Sequence, residues 1–269
     1  MENLDEDYLA TGFRDVDRSI HAAKLVSCLS FMRELPSFMS YKNHVLERLG
    51  SGPGDAVGDV GCGLGEDVLE IGRLVGKTGR ALGVDSSAEL IRMAGRSVPA
   101  GMPQVEFLVG DGERLGLEDD SLDGAKIDRT LMHVERPQCM IKEMYRVVRP
   151  GGRIVCTEPD WGTFTITSAD RETTRLVAHA WCDSFRHGWI GRSLKPMLID
   201  AGLRNVEITG HVVETEGFNA VDKVYDLTQT IAKLKQSTSS KMLDKWLDDI
   251  RQKDRLIATV TLFMASGTK

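Results

Sequence analysis

The sequence has no basic excess. Its 269 residues carry 34 Lys and Arg against 40 Asp and Glu, a formal net charge of -6. That speaks against a protein built to coat nucleic acid, and nucleic acid is not an expected partner. No apolar stretch reaches membrane-spanning length, and no basic-then-apolar leader is visible. A cytoplasmic protein that does not enter a membrane is expected. Paired cysteines are missing too. Cys28, Cys62, Cys139, Cys156 and Cys182 are widely spaced, odd in number and form no CxxC. Free thiols in a reducing compartment are expected, not a disulfide framework or a zinc site. No ligand cluster points to any metal. There is no internal repeat and no low-complexity segment. What is present is an ordinary globular composition, 41% hydrophobic and 28% charged, enough for one large domain with a sizeable core.

The first fifty residues read as helical: "SIHAAKLVSCLSFMREL" and "SFMSYKNHVLERLG" show apolar residues near helical spacing, broken by Pro36 and ended by Gly50. From residue 56 strands and helices alternate. "AVGDV", "RALGVD", "VEFLVGD", a weaker "LDGAKIDRT" and "GRIVCTEPD" read as strands. Between them "GEDVLEIGRLVG", "SAELIRMAGRSV" and "PQCMIKEMYRVVR" read as helices, the second capped by Ser86 or Ser87 and the third closed by Pro150-Gly151-Gly152. Such alternation predicts a parallel sheet with right-handed crossovers. Beyond residue 160 a helix is expected in "ADRETTRLVAHAWCDSFRHG", another in "LKPMLIDAGL" stopping at Gly202, and a strand in "RNVEITGHVVETEG". An amphipathic helix "SKMLDKWLDDIRQKDR" and a strand "LIATVTLFMASGTK" follow. This tail could complete the same sheet as an antiparallel hairpin.

Three glycines in five residues, Gly61, Gly63 and Gly65 in "DVGCGLGED", raise the question of what approaches them, because glycine gives up the most backbone freedom on folding. At the turn from the first strand into the first helix, bare N–H groups and a helix N-terminus would face a ligand. The spacing is GxGxG, not the GxGxxG of a dinucleotide site, and Glu66 stands where the last glycine of that fingerprint would be. Glu66 and Asp67 place negative charge at the helix entrance, unfavourable for a pyrophosphate and tolerable for a zwitterionic or cationic ligand. No GK[ST] follows, which excludes a Walker loop. Asp85 ends the next strand in "GVDSS", where it could accept from two ribose hydroxyls or simply cap a helix. Asp111 and Gly112 in "LVGDGERL" end the third, where they could meet an adenine or form a polar turn.

These segments, with "LDGAKIDRTLMHVERPQCMIKEMYRVVRPGGRIVCTEPD", resemble the class I S-adenosylmethionine (SAM) methyltransferases. The similarity is to the type 11 group that includes the ubiquinone and menaquinone C-methyltransferases, and it covers roughly residues 50 to 160. The resemblance implies a doubly wound, Rossmann-like seven-stranded α/β sheet with the last strand antiparallel. It implies SAM as cofactor and a small-molecule methyl acceptor as partner. Asp59, Gly61, Gly63 and Gly65 would hold the methionine end, Asp85 the ribose with Ser86 beside it, and Asp111 and Gly112 the adenine. Asp128 and Arg129 would line the methionine portion, and His133 would sit near the transferred methyl group. Gly58 departs from the pattern, where leucine is usual, and suggests a weaker strand.

The expected organisation is a helical lid over residues 1–50, a SAM-binding core over 51–160, and a substrate-binding helical insertion with closing strands of the same domain over 161–269. Alignment of a nucleophile with the S–CH₃ bond can supply much of the rate, so a base is needed only if the acceptor must lose a proton. His133 and His187 are the candidate bases, each alternatively a structural or solvated histidine. Glu158 and Asp160 border the same crevice. Trp161, Phe164, Phe185 and Trp189 could wall an apolar pocket or be plain core. Arg186, His187 and Arg192 could orient a polar or anionic group, and Phe38, Met39 and Tyr41 could close a lid. The expected activity is methyl transfer to O, N or C of a small apolar or aromatic metabolite. A SAM-fold protein that binds SAM or its product without methyl transfer is the alternative, and a dehydrogenase is disfavoured by the glycine spacing. The NPPY-type motif of amino-methylating DNA enzymes is absent, with "IDRT" in its place. The oligomeric state stays open, a homodimer included.

Overall fold

The computed structural model describes residues 8–19, 22–252 and 256–269. Expected helical residues at 20–21 and 253–255 lie outside the described residues. In chain order the helices are α1 (Leu9–Gly12), α2 (Ala22–Glu34), α3 (Pro36–Leu49), α4 (Glu66–Val75), α5 (Ala88–Ser97), α6 (Pro137–Val147), α7 (Arg171–Asp183), α8 (Ile190–Asp200), α9 (Phe218–Tyr225), α10 (Leu227–Leu234) and α11 (Ser240–Arg251). A 3-10 turn, Val16–Arg18, lies between α1 and α2. The strands are β1 (Ala56–Val60), β2 (Arg80–Asp85), β3 (Val105–Val109), β4 (Leu122–Asp128), β5 (Val148–Ile166), β6 (Arg204–Glu216) and β7 (Ile257–Thr268).

These strands form one seven-stranded sheet in the order β3-β2-β1-β4-β5-β7-β6. The β1–β2, β1–β4, β2–β3 and β4–β5 pairs are parallel. β7 runs antiparallel to both β5 and β6 and sits between them. The expected doubly wound sheet with its last strand antiparallel is therefore the observed one. β7 inserts between two strands, and helices α9 to α11 separate it from β6, so the tail is no tight hairpin. The central strands are buried along most of their length, as expected for parallel strands covered on both faces. Gly58 has a packing reason: a Cβ there would stand 2.9 Å from a Leu122 methyl on β4, so the missing side chain makes room for the neighbouring strand.

Local chemistry sets the element ends. Pro36 opens α3 and Gly50, with φ of 66°, closes it. Ser87 caps α5 by accepting from the Leu90 N–H. The structure departs from the sequence reading in three places. β5 begins at Val148, so Pro150-Gly151-Gly152 lie in the strand and not at a helix stop. α8 begins four residues before the expected Leu194 and carries Pro196 within it. The short helices α9 and α10 were not expected at all. Within the first fifty residues, α3 packs on β4, β5, β6 and β7 and buries Phe38, Tyr41, Val45 and Leu49. It belongs to the layer of helices on the sheet.

Candidate active site

A cavity of about 430 Å³ opens at the carboxyl ends of the parallel strands, where ligands of open α/β sheets bind. Asp59, the Gly61–Leu64 loop, Asp85, Ser86, Gly110–Glu113, Asp128 and Arg129 line one side. All ten residues expected to hold the cofactor line it except Gly65, which sits between the lining residues Leu64 and Glu66. Gly61, Gly63 and Gly65 have φ of 75°, 55° and 78°, values that favour glycine. Their reasons differ. A Cβ on Gly61 would meet Thr130 at 2.3 Å, and one on Gly65 would meet the Phe107 ring at 2.4 Å. A Cβ on Gly63 would meet only Leu29, at 3.8 Å. Most of the loop's donors are already engaged, contrary to the expectation of bare N–H groups. Gly61 and Cys62 donate to the Val84 carbonyl, Gly65 to Cys62, and Gly63 to Asp85. The glycines give shape, not hydrogen bonds.

Asp85 accepts from the N–H of Gly63 at 2.8 Å and of Ser87 at 2.9 Å, one on each oxygen. Burial raises its pKa above the ordinary carboxylate value, and these bonds work against that rise. Asp111 accepts from the Glu113 N–H at 2.8 Å and is exposed. Gly112 is held bare by Met140, whose methyl would lie 2.0 Å from any Cβ.

Beneath the glycine loop runs a chain of buried charges. Lys126 of β4 bonds Asp59 at 2.9 Å and Asp67 at 2.8 Å. Lys42 of α3 bonds Asp67 and, at 2.8 Å, Asp128. Asp128 also accepts from Arg129 at 2.9 Å and from the Tyr41 hydroxyl at 3.1 Å. Arg33 of α2 completes the set at 2.6 Å from Asp67. Burial disfavours each charge here. Lys126 is nevertheless held above its ordinary range by Asp59 and Asp67, and Asp67 well below its own by Lys126 and Lys42. For Asp59, burial wins and raises its pKa despite Lys126. The helix entrance is therefore not the negative spot that Glu66 and Asp67 suggest in sequence. Cations from α2, α3 and β4 compensate it, so these carboxylates do not themselves select against an anionic ligand.

The other side of the cavity is apolar. Trp161, Trp181, Phe185 and Tyr225 line it together with Phe13, Met32 and His133. Trp161 stacks on Phe185 at 4.8 Å and meets Trp181 edge-on at 5.4 Å. Phe164 packs behind this wall, 6.0 Å from Trp161. Trp189 is 59% exposed and lies beneath Arg192 at 4.4 Å, outside the lining. Arg192 is bound to Asp160. Met39 is exposed, whereas Phe38 lines the cavity and Tyr41 is buried on Asp128.

The two candidate bases sit differently. His133 lines the cavity between Phe13 and Phe185, at 5.6 and 5.7 Å. Burial pushes its pKa down to about 3, helped by Arg14 and Arg129, so the ring is neutral. Its Nδ1 is buried without a partner. His187 is not among the lining residues. Its backbone N–H donates to the Met132 carbonyl at 3.2 Å. Glu158 is buried, is not among the lining residues, and accepts from the N–H groups of Thr130, Leu131 and Met132. Burial pushes its pKa up to about 8. It holds the loop after β4 in place.

Sequence reasoning missed Lys42, Lys126, Arg33, Trp181 and Tyr225. For Trp181 a signal existed: Val177, Ala178, Trp181 and Cys182 share one buried face of α7. No group of three or more His, Cys, Asp or Glu suited to a metal ion occurs among the described residues. None of their helices is long and apolar enough to cross a membrane.

A doubly wound sheet with acidic residues at successive strand ends defines a Rossmann-like, nucleoside-binding protein. Comparison with known proteins narrows the class. Residues 58–156 match the model of a methyltransferase domain. An uncharacterized 37.1 kDa protein of transposon TN4556 from Streptomyces fradiae is 35% identical over 242 residues, covering 89% of this chain and 70% of that one. A demethylmenaquinone methyltransferase of Oceanobacillus iheyensis is 27% identical over 201 residues, 69% of this chain and 83% of that enzyme. The YcgJ protein of Bacillus subtilis shares the fold with a TM-score of 0.62 at 16% identity, over 85% of this chain and 97% of its own. The chain belongs to the class I SAM-dependent methyltransferases. Its cofactor is SAM. The lining fits that molecule: a carboxylate at the end of β2 for two ribose hydroxyls, a polar turn after β3 for a base, and charges of both signs for a zwitterionic amino-acid end.

Proposed function

We propose that this protein transfers the SAM methyl group to an O, N or C atom of a small apolar or aromatic metabolite. The observation that carries this is the continuity of the cavity. One lining runs from the glycine loop and the acidic strand ends to the chamber of Trp161, Trp181, Phe185 and Tyr225. A cofactor on the polar side would leave its reactive carbon facing an apolar space suited to a second molecule. Arg14 and Arg186 at the edge of that chamber suit an acceptor with an anionic substituent.

In this reading Asp85 orients the ribose, Asp128 and Arg129 border the methionine portion, and Asp111 with Gly112 borders the adenine. The aromatic wall excludes water and aligns the acceptor, which supplies most of the acceleration for an activated methyl group. SAM itself supplies the electrophilic methyl. His133 shapes the chamber as a neutral ring, and His187 has no part in it. An acceptor that needs no strong base fits best. We place the protein in the cytoplasm, on its five free thiols.

Incubation with radiolabelled SAM and fractionated small-molecule extract tests this. Label should move into an organic-soluble product. Tight SAM binding with no labelled product from any fraction would favour the reading in which the fold binds SAM without transferring its methyl group.

A further inference from the structure

Arg129 holds a conformation that its residue type does not favour. Among the described residues, Asp120, Arg129, Asn205 and Asp226 have positive φ without being glycine. Aspartate and asparagine tolerate the left-handed region through local side-chain bonds, and arginine gains nothing there. At φ of 54° Arg129 is pinned from outside. Its N–H donates to the Thr157 carbonyl at 2.8 Å, and the next two N–H groups, of Thr130 and Leu131, donate to Glu158. Strain kept up by its surroundings in this way points to a use for the side chain.

That side chain lines the cavity. Nε donates to Asp128 at 2.9 Å, and Nη1 has only the Met32 sulfur, a weak acceptor, at 3.0 Å. Nη2 has no partner among the described residues and is not sealed from solvent. The guanidinium lies 5.3 Å from the centre of the Phe38 ring. Its charge reaches the aromatic chamber. After burial and Arg14, it is the next influence that depresses His133, and it opposes the rise that burial gives Tyr225. A planar donor with unspent N–H groups thus stands where the cofactor side meets the chamber.

The titratable neighbours of Arg129 toward the chamber are poor bases. His133, pushed down to about 3 by burial, Arg14 and Arg129, does not keep a proton taken from a neutral acceptor. Asp128 already accepts from Tyr41, Lys42 and Arg129, and against burial Lys42 and Arg129 hold its pKa below the ordinary value. An acceptor that arrives ionised needs neither group and meets a cation. We propose that Arg129 binds the methyl acceptor, and that the acceptor enters as an oxyanion, an ionised phenol or enol methylated on that oxygen. This rests on the SAM reading above. The proton leaves to solvent before binding. The oxygen pair then forms the O–C bond, and the C–S pair returns to sulfur. Arg33, Lys42 and Lys126 already supply cations at the glycine-loop end, which leaves the open face of Arg129 to the second ligand.

Spectrophotometry with para-nitrophenol, yellow only when ionised, tests this on the full chain saturated with S-adenosylhomocysteine. At a pH below the phenol's own pKa, wild type should raise the phenolate absorbance, the opposite charge lowering the apparent pKa by about one unit or more. Arg129→Met should lose that shift, while calorimetry finds its affinity for S-adenosylhomocysteine within about threefold of wild type. An unchanged spectrum with wild type overturns the proposal, and that measurement needs no variant to fold. So does an Arg129→Met protein that binds S-adenosylhomocysteine more than about tenfold more weakly yet binds methylthioadenosine, which lacks the amino-acid end, as wild type does. The guanidinium would then serve the cofactor's carboxylate. A wild type that binds no S-adenosylhomocysteine overturns the SAM reading instead.

Discussion

Lys126→Met is expected to destabilise the fold more than any other single change at the site. Lys126 is 1% exposed and bridges Asp59 and Asp67. Methionine fills similar volume but leaves two buried carboxylates short of their shared cation. Removing one partner of a buried pair costs about 3–5 kcal/mol. Asp67 keeps Lys42 and Arg33, so the loss should fall mainly on Asp59. In a domain of this size that predicts a melting temperature lower by roughly 6–20 °C, at about 2–4 °C per kcal/mol, read by calorimetry. Adding Asp59→Asn removes the stranded charge. The double variant should recover part of the loss, with a coupling on the order of 1 kcal/mol or more. A single variant as stable as wild type would mean that Asp59 is neutral in the native protein and the pair is electrostatically idle.

Trp161→Ala is expected to be the largest single change to the acceptor chamber. The ring lines the cavity, stacks on Phe185 and meets Phe164, Trp181 and Tyr225 edge-on. Truncating such a residue costs about 3–5 kcal/mol through lost burial and the void left behind. Trp161→Phe keeps most of the packing and is the variant for kinetics. It should raise the acceptor KM severalfold while the affinity for S-adenosylhomocysteine stays within a few-fold. Equal losses for both ligands would show that the chamber and the cofactor side are not separate subsites.

Much of the fold was legible because its signals are local. β1 and β2 read as short apolar runs ending in an acid, and α3 and α5 carried their own punctuation in Pro36, Gly50 and Ser87. The helices α9 and α10, eight residues each, are too short for an amphipathic period to stand out. The cofactor side was legible for the same reason: each motif lies at one strand end. The charge chain was not, because Lys42, Asp67 and Lys126 come from three elements and each alone looks like a solvated charge. Only the sheet register, which sets Lys126 opposite Asp59, and the docking of α3 bring them together. Trp189 misled because an aromatic next to a basic stretch resembles a binding wall. Its ring lies outside, and Trp181, eight residues earlier, fills the wall from the buried face of α7.

Calorimetric titration with S-adenosylhomocysteine, on wild type and on Asp85→Ala, tests the central claim most directly. The claim is that the strand-end carboxylate of β2 holds the ribose of a SAM-derived ligand in the cavity. Wild type should bind with one site per chain. Loss of hydrogen bonds to a charged acceptor should weaken binding by about 1.5–3 kcal/mol, roughly 10- to 150-fold. Unchanged affinity in Asp85→Ala, or binding of NAD by a wild type that ignores S-adenosylhomocysteine, would contradict it.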